Sequence, residues 1–178
     1  MCALALAALL AGAPDADNYF EVGLDYLHKG FFARARAAFA ESLVRAPGQP
    51  VPLAFLGVAA AAEGRPDAQC AKLLRRAVAR LPAGKSLRLD LPSRLPSPRA
   101  LELMKEELRA RPGLDALAVL AFLEVHDGDP FHAPAADALL ERLPDDPYAR
   151  ALTRRPPRPP TGSSPTTPPT ASESGGAA

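Results

Sequence analysis

The side chains best placed to do chemistry in this chain are His126, Asp127, Asp129 and His132. Two imidazoles and two carboxylates within seven positions could hold a divalent metal or pass a proton. They surround Gly128, where a turn between two helices is expected, and polar residues belong in a turn in any case. Solvated turn residues are therefore the expectation. Asp127-Gly128-Asp129 lacks the further spaced acids of a calcium loop. His28 also precedes a turn glycine and reads as a surface residue. The two cysteines, Cys2 and Cys70, have no metal-ligand spacing, and Cys70 reads as a buried structural thiol. No Gly-rich phosphate loop, His-Glu-x-x-His pair or serine nucleophile elbow is present. These observations predict no catalytic residue, no metal, no cofactor and no small-molecule substrate. Lys72, Arg75, Arg76 and Arg80 form a basic run, but no aromatic residue lies among them to stack on bases, so no nucleic acid is expected.

Composition points to helical elements. Of 178 residues, 48% are hydrophobic yet only 6% aromatic, with no Trp. Ala and Leu carry the apolar content, which suits closely packed helices better than strands. Net charge is +1, so no global field attracts nucleic acid or acidic lipid. Locally the charge is uneven. Arg65 to Arg111 holds twelve basic and five acidic residues; Gly113 to Arg150 holds eight acidic and two basic. Two solvated faces of opposite sign account for this, and a basic docking surface for an acidic partner is the alternative.

The ends differ from the middle. Residues 2–13, CALALAALLAGA, have the length of a signal-peptide core and a small-x-small site at Ala11-Gly12-Ala13, but no basic start. Export and an apolar first helix both stay open, and with them the periplasmic and cytoplasmic compartments. Residues 154–178 contain seven prolines and no aliphatic residue larger than Ala, so a disordered tail is expected.

Between the ends the sequence repeats. From Asn18 to Pro47, Tyr19, Val22, Tyr26 and Leu27 share one helical face. Gly30 breaks that helix, and a second amphipathic run carries Ala35, Phe39, Ser42 and Leu43 to Pro47. Gly57 lies 34 residues after Gly23, and Gly64 lies 34 after Gly30. Cys70, Leu74 and Ala77 take the places of Ala35, Phe39 and Ser42, and Pro82 closes the second unit. Later, Pro92, Pro96 and Pro98 deny the next stretch a regular helix. Ala100 to Pro112 reads as a lone second helix, and Leu117 to Leu143 as a further pair ended by Pro144 and Pro147.

Tyr19, Val22, Gly23, Tyr26, Gly30, Ala35, Phe39, Ser42 and Pro47 resemble the tetratricopeptide repeat motif; Gly57, Cys70, Leu74, Ala77 and Pro82 continue it more weakly. The resemblance covers roughly residues 18–144 and is similar to small bacterial members with an interrupted third repeat. It implies an all-α fold, a right-handed superhelix of about three to four helical hairpins, one incomplete. The domain plan is a leading segment 1–15, a helical domain 16–150 and the tail 154–178. By the family's geometry, Phe20, Leu24, Leu27, Ala54, Val58 and Ala61 line a concave groove, with Ala118, Phe122 and Val125 from the last pair. Lys, Asn and Arg of a carboxylate clamp are missing there, so an apolar groove for a protein or peptide partner is implied. The same positions could instead be filled by the first helix, by the loop at Leu87–Leu95 or by a second copy. The function expected is a non-catalytic protein-interaction module; the alternative is a self-associating structural subunit, a homo-oligomer or part of a larger assembly.

Overall fold

The computed structural model describes residues 15–82, 85–127 and 132–154. The signal-like segment up to residue 14, the turn residues Gly128 and Asp129, and the Pro-rich tail from residue 155 lie outside the described residues.

Asp15 starts the first helix by accepting a hydrogen bond from the Asn18 amide at 2.8 Å, the usual side-chain solution for an unpaired helix amide. This helix, α1 (Ala16–His28), packs along α2 (Phe32–Arg45). The pair α3 (Pro50–Ala62) and α4 (Asp67–Ala79) follows, with Pro50 in the first turn of α3, where the missing amide costs nothing. The two hairpin turns are geometric copies. Gly30 has φ +77 and Gly64 φ +78. After the first, the Phe31 amide donates to the Tyr26 carbonyl at 2.9 Å; after the second, Arg65 donates to Ala60 at 3.0 Å. That i to i−5 bond requires a left-handed residue before it, and only glycine takes that conformation without a Cβ penalty.

Within each hairpin a glycine sets the helix separation. A Cβ built on Gly23 would lie 2.5 Å from the Phe39 ring, and one on Gly57 would lie 2.7 Å from Leu74. The facing positions Ala35, Phe39, Ser42, Cys70, Leu74 and Ala77 are all buried. Ser42 avoids stranding its hydroxyl by donating to the Ala16 carbonyl at 2.8 Å. Tyr19 and Tyr26 are half-buried, with Arg45 over the Tyr19 ring. Pro47 and Pro82 are exposed just beyond α2 and α4.

After α4 the chain leaves the array. Residues 85–90 have no regular secondary structure, a single turn follows as α5 (Leu91–Arg94), and then α6 (Pro98–Ala110). The array resumes with α7 (Leu114–Val125), which packs on α4, and α8 (Pro134–Arg142), which packs on α7. A final helix, α9 (Pro147–Thr153), sits against α8, α4 and α7. The preceding helix stops at Arg142, before Pro144. The additional helix, not among those expected from the sequence, has Pro147 in its first turn and is capped by Asp146, which accepts from the Tyr148 amide at 2.9 Å. The fold is thus all-α, with no strand among the described residues, and its helices pack as consecutive hairpins interrupted once. No helix among the described residues is long and apolar enough to cross a membrane.

Sequence pattern explains the layering. α1, α2, α4 and α6 are amphipathic and bury one face. α3 and α7 are apolar nearly all round, and eight residues of each are buried. For α7 the cover is α4, α6 and α8 on its different sides, the surroundings an unpatterned apolar helix needs.

Candidate functional site

The positions expected to line an open groove are mostly sealed. Leu27, Ala54, Val58 and Phe122 have no exposed surface, and Leu24 keeps 7%. Phe20 and Ala61 are half-buried. Phe20 packs its ring 5.8 Å from both Phe39 and Phe55, which themselves stack at 5.6 Å. These side chains are packed core rather than a solvent-open lining, and that corrects the expectation of an empty concave face.

The segment between α4 and α6 packs against α1, α6 and the end of α7. Its leucines are spaced for an extended chain, Leu87, Leu89 and Leu91, followed by Leu95 after one helical turn. Leu91 and Leu95 are buried in the same core cluster as Leu27, Val58 and Phe122, and Leu87 and Leu89 pack partly against it. At one end this strap meets the C-terminus of α7: the Leu91 amide donates to the His126 carbonyl at 3.3 Å, and the Leu87 carbonyl lies 3.2 Å from His126 Nε2. At the other end α5 packs on α1, and Pro96 lies over Gly30. The strap therefore runs from the last of the groove-lining helices to the first.

His126 is the hinge pin of this contact. It was expected to be a solvated turn residue; instead it is 3% exposed. Its ring stacks on Phe122 at a centroid distance of 4.2 Å, with Nδ1 2.8 Å from the Phe122 carbonyl. Burial lowers its pKa below the ordinary imidazole value, against the opposing pull of the two carbonyls. Both ring nitrogens face carbonyls, so neither is free to ligate a metal. Asp127 turns away to pair with Lys105, and His132 is exposed. No cluster of metal-binding side chains occurs among the described residues.

Three ion pairs join the basic middle of the chain to its acidic end, while most of the other charges in both stretches are exposed. Lys105, 4% exposed, bonds Asp127 and reaches Glu102 at 2.5 Å. Burial alone would depress its pKa, but the two carboxylates outweigh that and raise it. Arg109 donates to Glu124 at 3.2 Å, and Glu124 also accepts the Ala135 amide at 2.8 Å. Arg75 pairs with Asp146 and lies 5.0 Å over the Tyr148 ring. Burial pushes the Asp146 carboxyl up, yet the Arg75 and Tyr148 hydrogen bonds hold it below the usual range. Tyr148 donates its hydroxyl to the Ala118 carbonyl at 3.0 Å.

That Arg75–Asp146–Tyr148 knot, unmarked by any sequence motif, forms the back of a cleft of about 530 Å³ between α4 and α9. Val78, Leu81, Pro82 and Ala151 supply its apolar walls, and Lys85 and Arg154 also line it. Asp145 there is paired with Arg150. No nucleophile stands beside a base in either place. Cys70, the one described thiol, is buried with its pKa pushed up to about 11, which keeps it protonated and inert. Comparison with family models, with curated proteins and with solved structures finds no match to this chain.

Proposed function

We propose that this chain is a non-catalytic protein-interaction module that receives an extended apolar segment of a partner protein on the concave side of its hairpin array. One observation carries the reading. The expected groove positions are uniformly apolar, and they already belong to a core completed by a peptide-like segment of the same chain, Leu87 to Leu95. A surface that seats one leucine-bearing strap has the shape and chemistry to seat another. The tetratricopeptide resemblance supports the same use of the concave side. Burial of the reactive groups supports the absence of catalysis: the thiol is protonated and the buried imidazole is held between carbonyls.

Ala61 gives the test, because it is a groove position that is only half-buried. Peptides selected from a random displayed library on the full chain should be rich in leucine. Ala61→Arg should weaken their binding at least tenfold with the circular dichroism unchanged. Selected peptides that ignore this substitution would refute the assignment. The second reading, a self-associating subunit, draws on Phe31, 50% exposed, and Val44, 73% exposed. Light scattering separates the two: a dimer that Phe31→Asp dissolves favours self-assembly.

A further inference from the structure

The strap is anchored by two fully buried leucines, Leu91 and Leu95, and has few polar fixings. Residues 86–90 have no regular secondary structure, and none of their amides donates a hydrogen bond within the described residues. Its polar fixings are the two contacts to His126, at 3.3 and 3.2 Å. A neutral imidazole carries one N–H and so donates to one of its two facing carbonyls only, Phe122 at 2.8 Å or Leu87 at 3.2 Å. What remains is the seating of Leu91 and Leu95, with Leu87 and Leu89 half in contact. Open backbone and few fixings are the marks of a segment that opens without global unfolding.

We infer that the strap Lys85–Pro96 is a displaceable occupant of the concave side, an autoinhibitory element, and that the partner segment is an extended chain with leucines at the strap's own spacing. The inference rests on the proposed concave partner site. Competition follows from tethering: a segment in cis acts at an effective concentration of about millimolar, so a free segment binds only the fraction of molecules whose strap is open.

The probe is a fluorescent peptide of residues 85–97, titrated by anisotropy against the full chain and against its Leu91→Ala/Leu95→Ala variant. The variant should bind at least tenfold more tightly than the original chain, and a peptide with both leucines replaced by serine should not bind. Equal binding by both chains, or no binding by a folded variant, overturns the inference. So does loss of the helical signal in the variant, which would make the strap permanent core. Hydrogen exchange on the unaltered chain gives a second readout. The Leu91 and Leu95 amides, which donate to the His126 and Leu91 carbonyls, should exchange at least a hundredfold faster than those of α3; their exchange only with global unfolding also overturns it. The library selection with Ala61→Arg is independent, since a partner of other sequence could pass there while the strap peptide fails here.

Discussion

Replacing Gly23 by Ala pits two effects of known size against each other. In a helix interior Ala is favoured over Gly by about 1 kcal/mol, so propensity alone predicts a stabler protein. The new methyl, however, would stand 2.5 and 2.6 Å from two carbons of the Phe39 ring. That ring has nowhere to go. It is fully buried, with Phe20 at 5.8 Å and Phe55 at 5.6 Å. Overpacking of this kind costs about 1–3 kcal/mol, and a rigid aromatic hemmed by two others belongs to the upper part of that range. The net expectation is a loss of about 1–2 kcal/mol. Urea unfolding followed by far-ultraviolet circular dichroism, which the absence of Trp does not hinder, measures it as a lower midpoint at unchanged slope. A double-mutant cycle isolates the cause: Phe39→Leu should relieve the clash, giving a favourable coupling of about 1 kcal/mol. Gly57→Ala should cost less, because the atom it meets is the end of the Leu74 side chain. A Gly23→Ala protein that gains stability would show that the two helices do not approach as closely as described, and the glycine spacing would lose its meaning.

Two further expectations concern the C-terminal half. His126 has a lowered pKa in the folded protein, so below about pH 6.5, the ordinary imidazole value, the unfolded chain takes up a proton that the folded chain refuses. Its stabilising contribution is full above that pH and is lost as pH falls toward the folded pKa; thermal unfolding from pH 7.5 to 5 should show the loss, and His126→Gln should flatten the profile. Tyr148→Phe removes the hydroxyl's hydrogen bond to the Ala118 carbonyl, which keeps its helical partner, at a cost of about 1 kcal/mol by urea titration; an unchanged midpoint would mean that this buried bond adds nothing net.

The parts of this structure that local chemistry determines were legible in the sequence, and the parts that distant packing determines were not. The two hairpins could be read because Gly23, Gly30 and Phe39 and their counterparts Gly57, Gly64 and Leu74 act within one 34- or 35-residue unit. The short helix Pro147–Thr153 went unread because a proline after a helix and a proline opening the next look alike; Asp146 before it was the available signal for a new cap. His126 sits beside Asp127-Gly128-Asp129, and the polarity of its neighbours hid an inward-facing ring. The helical faces assigned to Leu27, Ala54, Val58 and Phe122 were apolar as read, but what lies over a face is a tertiary fact. Leu87, Leu89, Leu91 and Leu95 gave an extended apolar pattern without saying where it goes, and the knot of Arg75, Asp146 and Tyr148 joins residues more than seventy positions apart.

One donor–acceptor pair bears on how the molecule assembles. Ala133, the residue before α8, offers no side-chain cap, and the nine-residue helix is too short to persist alone in water. Its leading amide, at Ala135, is satisfied by a carboxylate oxygen of Glu124, eleven residues upstream on α7. The start of this helix is thus dictated by a neighbour that must already be in place. Residues 132–154 would be structureless as an excised fragment, and during biosynthesis they would condense last, onto a platform made of everything that emerged before them.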